Sequence, residues 1–236
     1  MRHRPFLALL AVIGVSALGL TACGGDGDEN AQQMPAAQTT TMADMSEAMP
    51  SADVMSPAAD LRVTLDRLLG EHALLAVAAT QKGLDGAPDF QATAAALDQN
   101  SVEVSEAIGS IYGDEAADQF LNGPSLWRDH ISFFVDYTVA LAEGDSAGQQ
   151  EAVENLIGYT GAFSGFLAQA TGLPQDALQE GVTKHVMQLK GQLDAYAAGN
   201  YKKANRLARE AYAHMIMTGD TLASAIVEQN PEMFAR

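Results

Sequence analysis

The chain has 236 residues, and its 30 acidic residues outnumber 13 Lys and Arg, which gives a formal net charge of −17 at pH 7. A surface of this charge repels phosphate backbones, so nucleic acid is not an expected partner. Cys23 is the only cysteine. No disulfide can therefore form within the chain, and the fold must be stabilised by its own apolar core.

Residues 1–22 predict a lipoprotein signal peptide. A basic start, Arg2 to Arg4, is followed by an uncharged apolar run over 6–20 and by a lipobox that ends in Cys23. The apolar run is shorter than the ~20 residues that a helix needs to span a bilayer. We expect cleavage before Cys23, acylation (palmitate-type chains) of that cysteine, and anchoring on the extracytoplasmic side of the cell membrane. An ordinary signal peptide is the alternative.

Residues 23–56 predict a disordered tether. Beyond Cys23 this segment has no Lys, Arg or aromatic residue, and it is rich in Gly, Ala, Gln, Thr, Ser and Asp. Such a composition cannot bury enough apolar surface to offset the entropy of ordering. Thioethers suit monovalent copper, so the tether is also a candidate for collecting copper; a plain spacer is the alternative. Its five methionines are Met34, Met42, Met45, Met49 and Met55.

Residues 57–236 predict one all-α domain, a helical bundle of about six helices arranged as three hairpins. Apolar residues recur there at spacings of three and four, as on one face of a helix. Each glycine of a repeated pattern falls where a helix would end, as a left-handed C-cap requires. The pattern is a histidine followed 14 residues later by a glycine: His72 and Gly86, His130 and Gly144, His185 and Gly199.

The four histidines of this domain, His72, His130, His185 and His214, all lie on apolar helical stripes. Neutral imidazole is a common metal ligand and also titrates near physiological pH. If the hairpins pack alike, the first three histidines should converge, with His214 nearby. The sequence therefore predicts a shared transition-metal site, with copper or zinc as the expected ion. The alternative is that each histidine is a core residue bonded to a carbonyl or a tyrosine.

Four further side chains are candidates for supporting this site. Glu210 lies four residues before His214 and is predicted to orient its ring. Glu103 matches the position of His214 when the hairpins are aligned by the aromatic residue after each turn. When they are aligned by the glycines, Ser101 of the first hairpin and Tyr159 of the second match it instead. Met217 follows His214 closely and offers a thioether.

No catalytic motif is present, so an enzyme is not expected. The chain lacks a Gly-x-Ser-x-Gly elbow, a phosphate-binding loop and, in the domain, the Glu-x-x-His motif of di-iron bundles. A haem held by two of the histidines would have to be non-covalent, because there is no Cys-x-x-Cys-His. The alternative function is a cofactor-free structural or protein-interaction module at the cell envelope, whose protein partner the sequence does not name.

Five stretches of the domain resemble an all-helical domain of exported proteins from Gram-positive-type bacteria. The resemblance covers about 61–234. That domain often follows a module named after the N-terminal domain of copper amine oxidases, and it has no settled activity. The resemblance implies fold and export, and it does not imply copper. The stretches are Glu71-His72-Ala73, Ile111-Tyr112-Gly113, Trp127-Arg128-Asp129-His130 with Phe134-Val135-Asp136-Tyr137, His185-Val186-Met187-Gln188-Leu189 and Ala213-His214-Met215.

Overall fold

The computed structural model describes residues 55–235. The predicted signal peptide, the predicted lipidation at Cys23 and nearly all of the predicted tether lie outside these residues. None of the helices within 55–235 combines the length and apolarity needed to span a bilayer.

Every regular element among the described residues is a helix, which confirms the all-α prediction. Seven helices of nine residues or more are followed by a four-residue helix. In chain order they are α1 (Pro57–Asp85), α2 (Phe90–Tyr112), α3 (Asp114–Asn122), α4 (Trp127–Glu143), α5 (Ser146–Thr171), α6 (Gln175–Ala197), α7 (Tyr201–Gln229) and α8 (Pro231–Phe234).

Three helical hairpins, α1–α2, α4–α5 and α6–α7, build the bundle. The turns of these hairpins contain the glycines of the histidine–glycine repeat. The backbone of each glycine is left-handed, with φ of 60° at Gly86, 72° at Gly144 and 71° at Gly199. An L side chain rarely adopts this conformation, so glycine at these positions lets each helix end and the chain reverse. The predicted turns are confirmed.

The nine-residue helix α3 was not predicted. It follows Gly113, whose φ of 89° breaks the path of α2, and it starts with Asp114 and Glu115, which suit a helix N-terminus. Phe120 and Leu121 are its buried residues. Nine residues form too few helical turns to show a clear apolar period, so this helix could not be recognised from the sequence.

Helix α1 lies at the centre of the bundle, because it packs against α2, α4, α6 and α7. Its contact with α7 is the most extensive and depends on small residues. A Cβ added to Gly219 would lie 2.9 Å from the backbone nitrogen of Asp66 in α1. The separate contacts of α1 with α4 and with α6 bring the inward faces of these three helices together.

Candidate ligand-binding site

Three of the four predicted histidines converge inside the bundle. His72 of α1, His130 of α4 and His185 of α6 are 1%, 2% and 7% exposed. The ring centroid of His72 lies 5.3 Å from that of His130 and 5.9 Å from that of His185. The Nε2 atoms of His72 and His130 face each other at 3.4 Å.

The fourth histidine, His214 of α7, lies at the edge of this cluster. Its ring stacks beside that of His185 with the centroids 6.4 Å apart. Its Nε2 is 2.9 Å from the carbonyl oxygen of Gly181, to which it can donate. The group that orients this ring is therefore the Gly181 carbonyl and not Glu210, which is exposed and pairs with Arg206 at 2.7 Å.

The other predicted supporting residues separate into two groups. Tyr159 is buried and stacks on His130, with ring centroids 4.7 Å apart. Met217 lines a cavity that adjoins the histidine cluster and is described below. Glu103 is not at the cluster: its carboxylate contacts Gln99 at 3.3 Å and Arg67 at 3.8 Å.

Burial keeps the clustered imidazoles neutral at neutral pH. It lowers the pKa of His72 and of His185 well below the usual value, and it lowers the pKa of His130 to about 3. The neighbouring histidine rings act in the same direction, because a second positive charge close by would be repelled. A neutral imidazole has a free lone pair, which is the state that binds a metal.

Several ring nitrogens of the cluster lack a hydrogen-bond partner among the described residues. These are Nδ1 of His72 and both nitrogens of His185. Each buried polar atom left without a partner costs about 1–3 kcal/mol. The cluster is therefore an arrangement that a bound ligand or water would stabilise.

A cavity of about 500 Å³ adjoins the cluster, and all four histidines line it. Its other walls are mostly aliphatic and aromatic, and no Asp, Glu, Lys or Arg lines it among the described residues. The cavity opens where its lining residues are exposed to solvent. These include Gln119, Gln169, Met217 and Thr221.

A second cavity, of about 170 Å³, lies between α1, α2 and α4. Among the described residues, its lining shares only His72 and His130 with the lining of the larger cavity. The histidine pair therefore separates two apolar spaces inside the bundle.

Sequence reasoning missed one feature of the site and one feature of α6, the helix that carries His185. Trp127, which was not among the candidate site residues, lies against both rings of the pair: its ring centroid is 4.6 Å from that of His72 and 5.0 Å from that of His130. On α6, Gln188 and Gln192 follow His185 at spacings of three and seven and have side-chain atoms that are buried without a partner. That helical spacing was the signal that could have found them.

Within residues 55–235, no group of three or more His, Cys, Asp or Glu side chains is arranged to hold a metal ion. The protein therefore offers a facing pair of imidazoles, with a third imidazole beside one of them.

No protein-family model, curated protein or solved structure matches the chain. The resemblance to helical domains of exported proteins stays a prediction. The function is therefore argued from the site itself.

Proposed function

We propose that this protein is a lipid-anchored, extracytoplasmic binding protein whose helical domain binds a transition metal between His72 and His130. The observation that carries the proposal is the 3.4 Å separation of their Nε2 atoms inside the bundle. Imidazole nitrogen suits zinc, copper and iron. The strongly acidic chain also favours the approach of cations.

The separation of the two nitrogens is that of a long imidazole–imidazole hydrogen bond, and it also fits a shared metal ion. Two imidazole–metal bonds of ~2.0–2.1 Å at a tetrahedral angle place the nitrogens about 3.4 Å apart. At 3.4 Å the contact between His72 and His130 matches the span around one ion.

The two histidines do not complete a coordination sphere. His185 is the next candidate ligand, because its ring lies beside His72 and neither of its nitrogens has a partner. The remaining positions would be filled by ligands from outside the chain.

Elemental analysis of the purified full chain after loading with Zn²⁺ or Co²⁺ tests this proposal. These ions are preferable to copper in the first experiment, because thioethers of the methionine-rich segment would bind copper independently. We expect one ion per chain, a raised unfolding temperature, and loss of both effects in His72→Ala and His130→Ala.

His214→Ala is the matched control, since this ring lines the same cavity outside the facing pair. It should retain the metal. A full chain that stays metal-free, with an unchanged unfolding temperature in excess Zn²⁺ and Co²⁺, would contradict the proposal and favour a cofactor-free interaction module.

The lipid anchor is tested separately. Cys23→Ala should move the protein from the membrane fraction to the soluble fraction without changing metal binding. A Cys23→Ala variant that remains with the membranes would refute anchoring through this cysteine.

A further inference from the structure

The larger cavity is lined by buried polar atoms that no group of the described residues satisfies. His185 lines the cavity and is 7% exposed, and neither of its ring nitrogens has a hydrogen-bond partner. Trp127 lies on the same wall, and its indole N–H is buried without a partner as well. Proteins rarely leave such groups unsatisfied, so these atoms indicate the polar contacts that an occupant of the cavity would complete.

The cavity is elongated and has the histidines at one end. Its lining on α6 extends from Ala177 to His185, and its lining on α7 extends from His214 to Ile226. At about 1.5 Å per residue, these stretches cover roughly 12 and 18 Å of helix. The unsatisfied ring of His185 is therefore at the inner end of a long space.

An apolar molecule suits this space better than water does. Protein interiors contain few voids larger than a water molecule. A buried water needs about three polar partners, and the mostly aliphatic and aromatic walls offer few. An apolar cavity of ~150 Å³ holds one benzene molecule, so a cavity of about 500 Å³ has room for roughly 20 non-hydrogen atoms. That is the size of a single lipid chain.

We propose that the larger cavity binds a neutral, single-chain lipid-like molecule, whose hydroxyl or carbonyl group bonds to His185 and whose chain lies along α6 and α7. The inference goes beyond the proposed metal site, because it leaves the contact between His72 and His130 intact. A neutral imidazole offers one donor and one acceptor, and an indole offers a donor only. A hydroxyl group complements either ring, and a carbonyl oxygen accepts from the N–H of either.

The lining excludes a charged head group at the inner end. No Asp, Glu, Lys or Arg lines the cavity among the described residues. A carboxylate or ammonium group beside His185 would lose its hydration without gaining an opposite charge, which costs far more than burying a hydrogen-bonded hydroxyl. A charged amphiphile could bind only with its head at the opening, and it would leave His185 unsatisfied. The cavity should therefore prefer a fatty alcohol to a fatty acid of the same chain length.

Titration of the purified full chain with diphenylhexatriene, after chelator treatment and without detergent, tests whether the cavity takes up an apolar molecule. This probe is a rod-shaped hydrocarbon of about the required size that fluoresces in apolar surroundings. We expect one probe per chain, with quenching of Trp127, the only tryptophan of the chain and part of the cavity wall.

Bulk added to the wall should block the probe. Val182→Phe, at a half-buried lining residue of α6, should weaken probe binding roughly 10-fold or more. Thr218→Phe, at a half-buried lining residue of α7, is a second blocking variant in case the first does not fold. Val63→Phe is the matched control, because Val63 is exposed and lines neither cavity, and it should bind the probe as the parent protein does.

Competition for the bound probe tests the polar contact. We expect 1-dodecanol to displace the probe at least about 10-fold more effectively than dodecanoate or dodecyltrimethylammonium, which are ions with the same chain. His185→Phe keeps a ring of similar size and removes both nitrogens. It should weaken dodecanol by about 3- to 10-fold, as the loss of one hydrogen bond would, and leave probe binding within about twofold, since the hydrocarbon has no polar atom.

Far-UV circular dichroism shows which variants are folded. The inference would be overturned if the parent protein bound no probe, or if the folded blocking variants bound it as well as Val63→Phe does. Equal displacement by dodecanoate and dodecanol, or full affinity of His185→Phe for dodecanol, would also overturn it. The metal proposal stands or fails separately, because Zn²⁺ and Co²⁺ loading of His72→Ala and His130→Ala decides it.

Discussion

The buried histidines should make the metal-free domain less stable in mild acid. The pKa of His130 falls from an ordinary value of 6.5 to about 3 in the folded protein, chiefly because of burial. Between those two values the unfolded chain binds more protons than the folded one. Stability therefore rises with pH through this window, is fully present above about pH 7, and is lost as the pH falls below 6.5.

The size of the effect follows from the two pKa values. Moving from pH 7.5 to pH 5.0 should lower the free energy of unfolding by about 2 kcal/mol through His130 alone. His72 and His185 act in the same direction, since burial also lowers the pKa of each. Asp66 opposes them, because burial raises the pKa of its carboxyl and protonation there favours the folded state.

Urea unfolding of the chelator-treated protein at the two pH values measures this loss, and a His130→Gln variant isolates the contribution of His130. The variant should lose about 2 kcal/mol less on acidification than the parent protein. His214→Gln is the comparison: burial also lowers the pKa of His214, but its bond to the Gly181 carbonyl opposes that shift, so this variant should reduce the pH dependence less than His130→Gln does. A pH dependence that His130→Gln leaves unchanged would refute the reasoning.

Further predictions concern packing, and urea unfolding checks each of them. Gly219→Ala should destabilise the domain by about 1–3 kcal/mol, because the new Cβ would press on the Asp66 backbone of α1. Gly158→Ala should instead stabilise it by up to about 1 kcal/mol, since nothing lies within 4 Å of a Cβ at this helical position. If the two variants changed stability in the same direction, the packing argument for α1 and α7 would fail. Leu193→Ala, at a fully buried residue, should cost about 2–5 kcal/mol, and a loss below 1 kcal/mol would show that the site collapses around the gap.

The hairpins and the convergence of three histidines could be predicted from local patterns. A glycine with positive φ ends a helix at a fixed place, so an equal histidine-to-glycine spacing sets His72, His130 and His185 at a similar height in each hairpin. Apolar periodicity then fixes which face of the helix is turned inward. Both signals are short-range, which is why the sequence alone carries them.

The remaining features depend on long-range packing. Glu210 shares a helical face with His214 by spacing, yet it pairs with the exposed Arg206, and a carbonyl of α6 takes its predicted place. Helical periodicity predicts which face a side chain lies on, but not which group it bonds to. The cavities likewise arise from the fit between several helices, and Trp127 gains its contact with the histidine pair only when α1 and α4 meet.

The partition between the two cavities has a consequence for how the interior is connected. His72 and His130 form that wall with side chains, and side chains can change rotamer without any movement of the helix backbone. With the rings face to face, the two cavities are separate, and rotation of one ring would join them into a single space. A ligand held by both rings would fix them in place, so binding at the pair would also keep the two cavities separate.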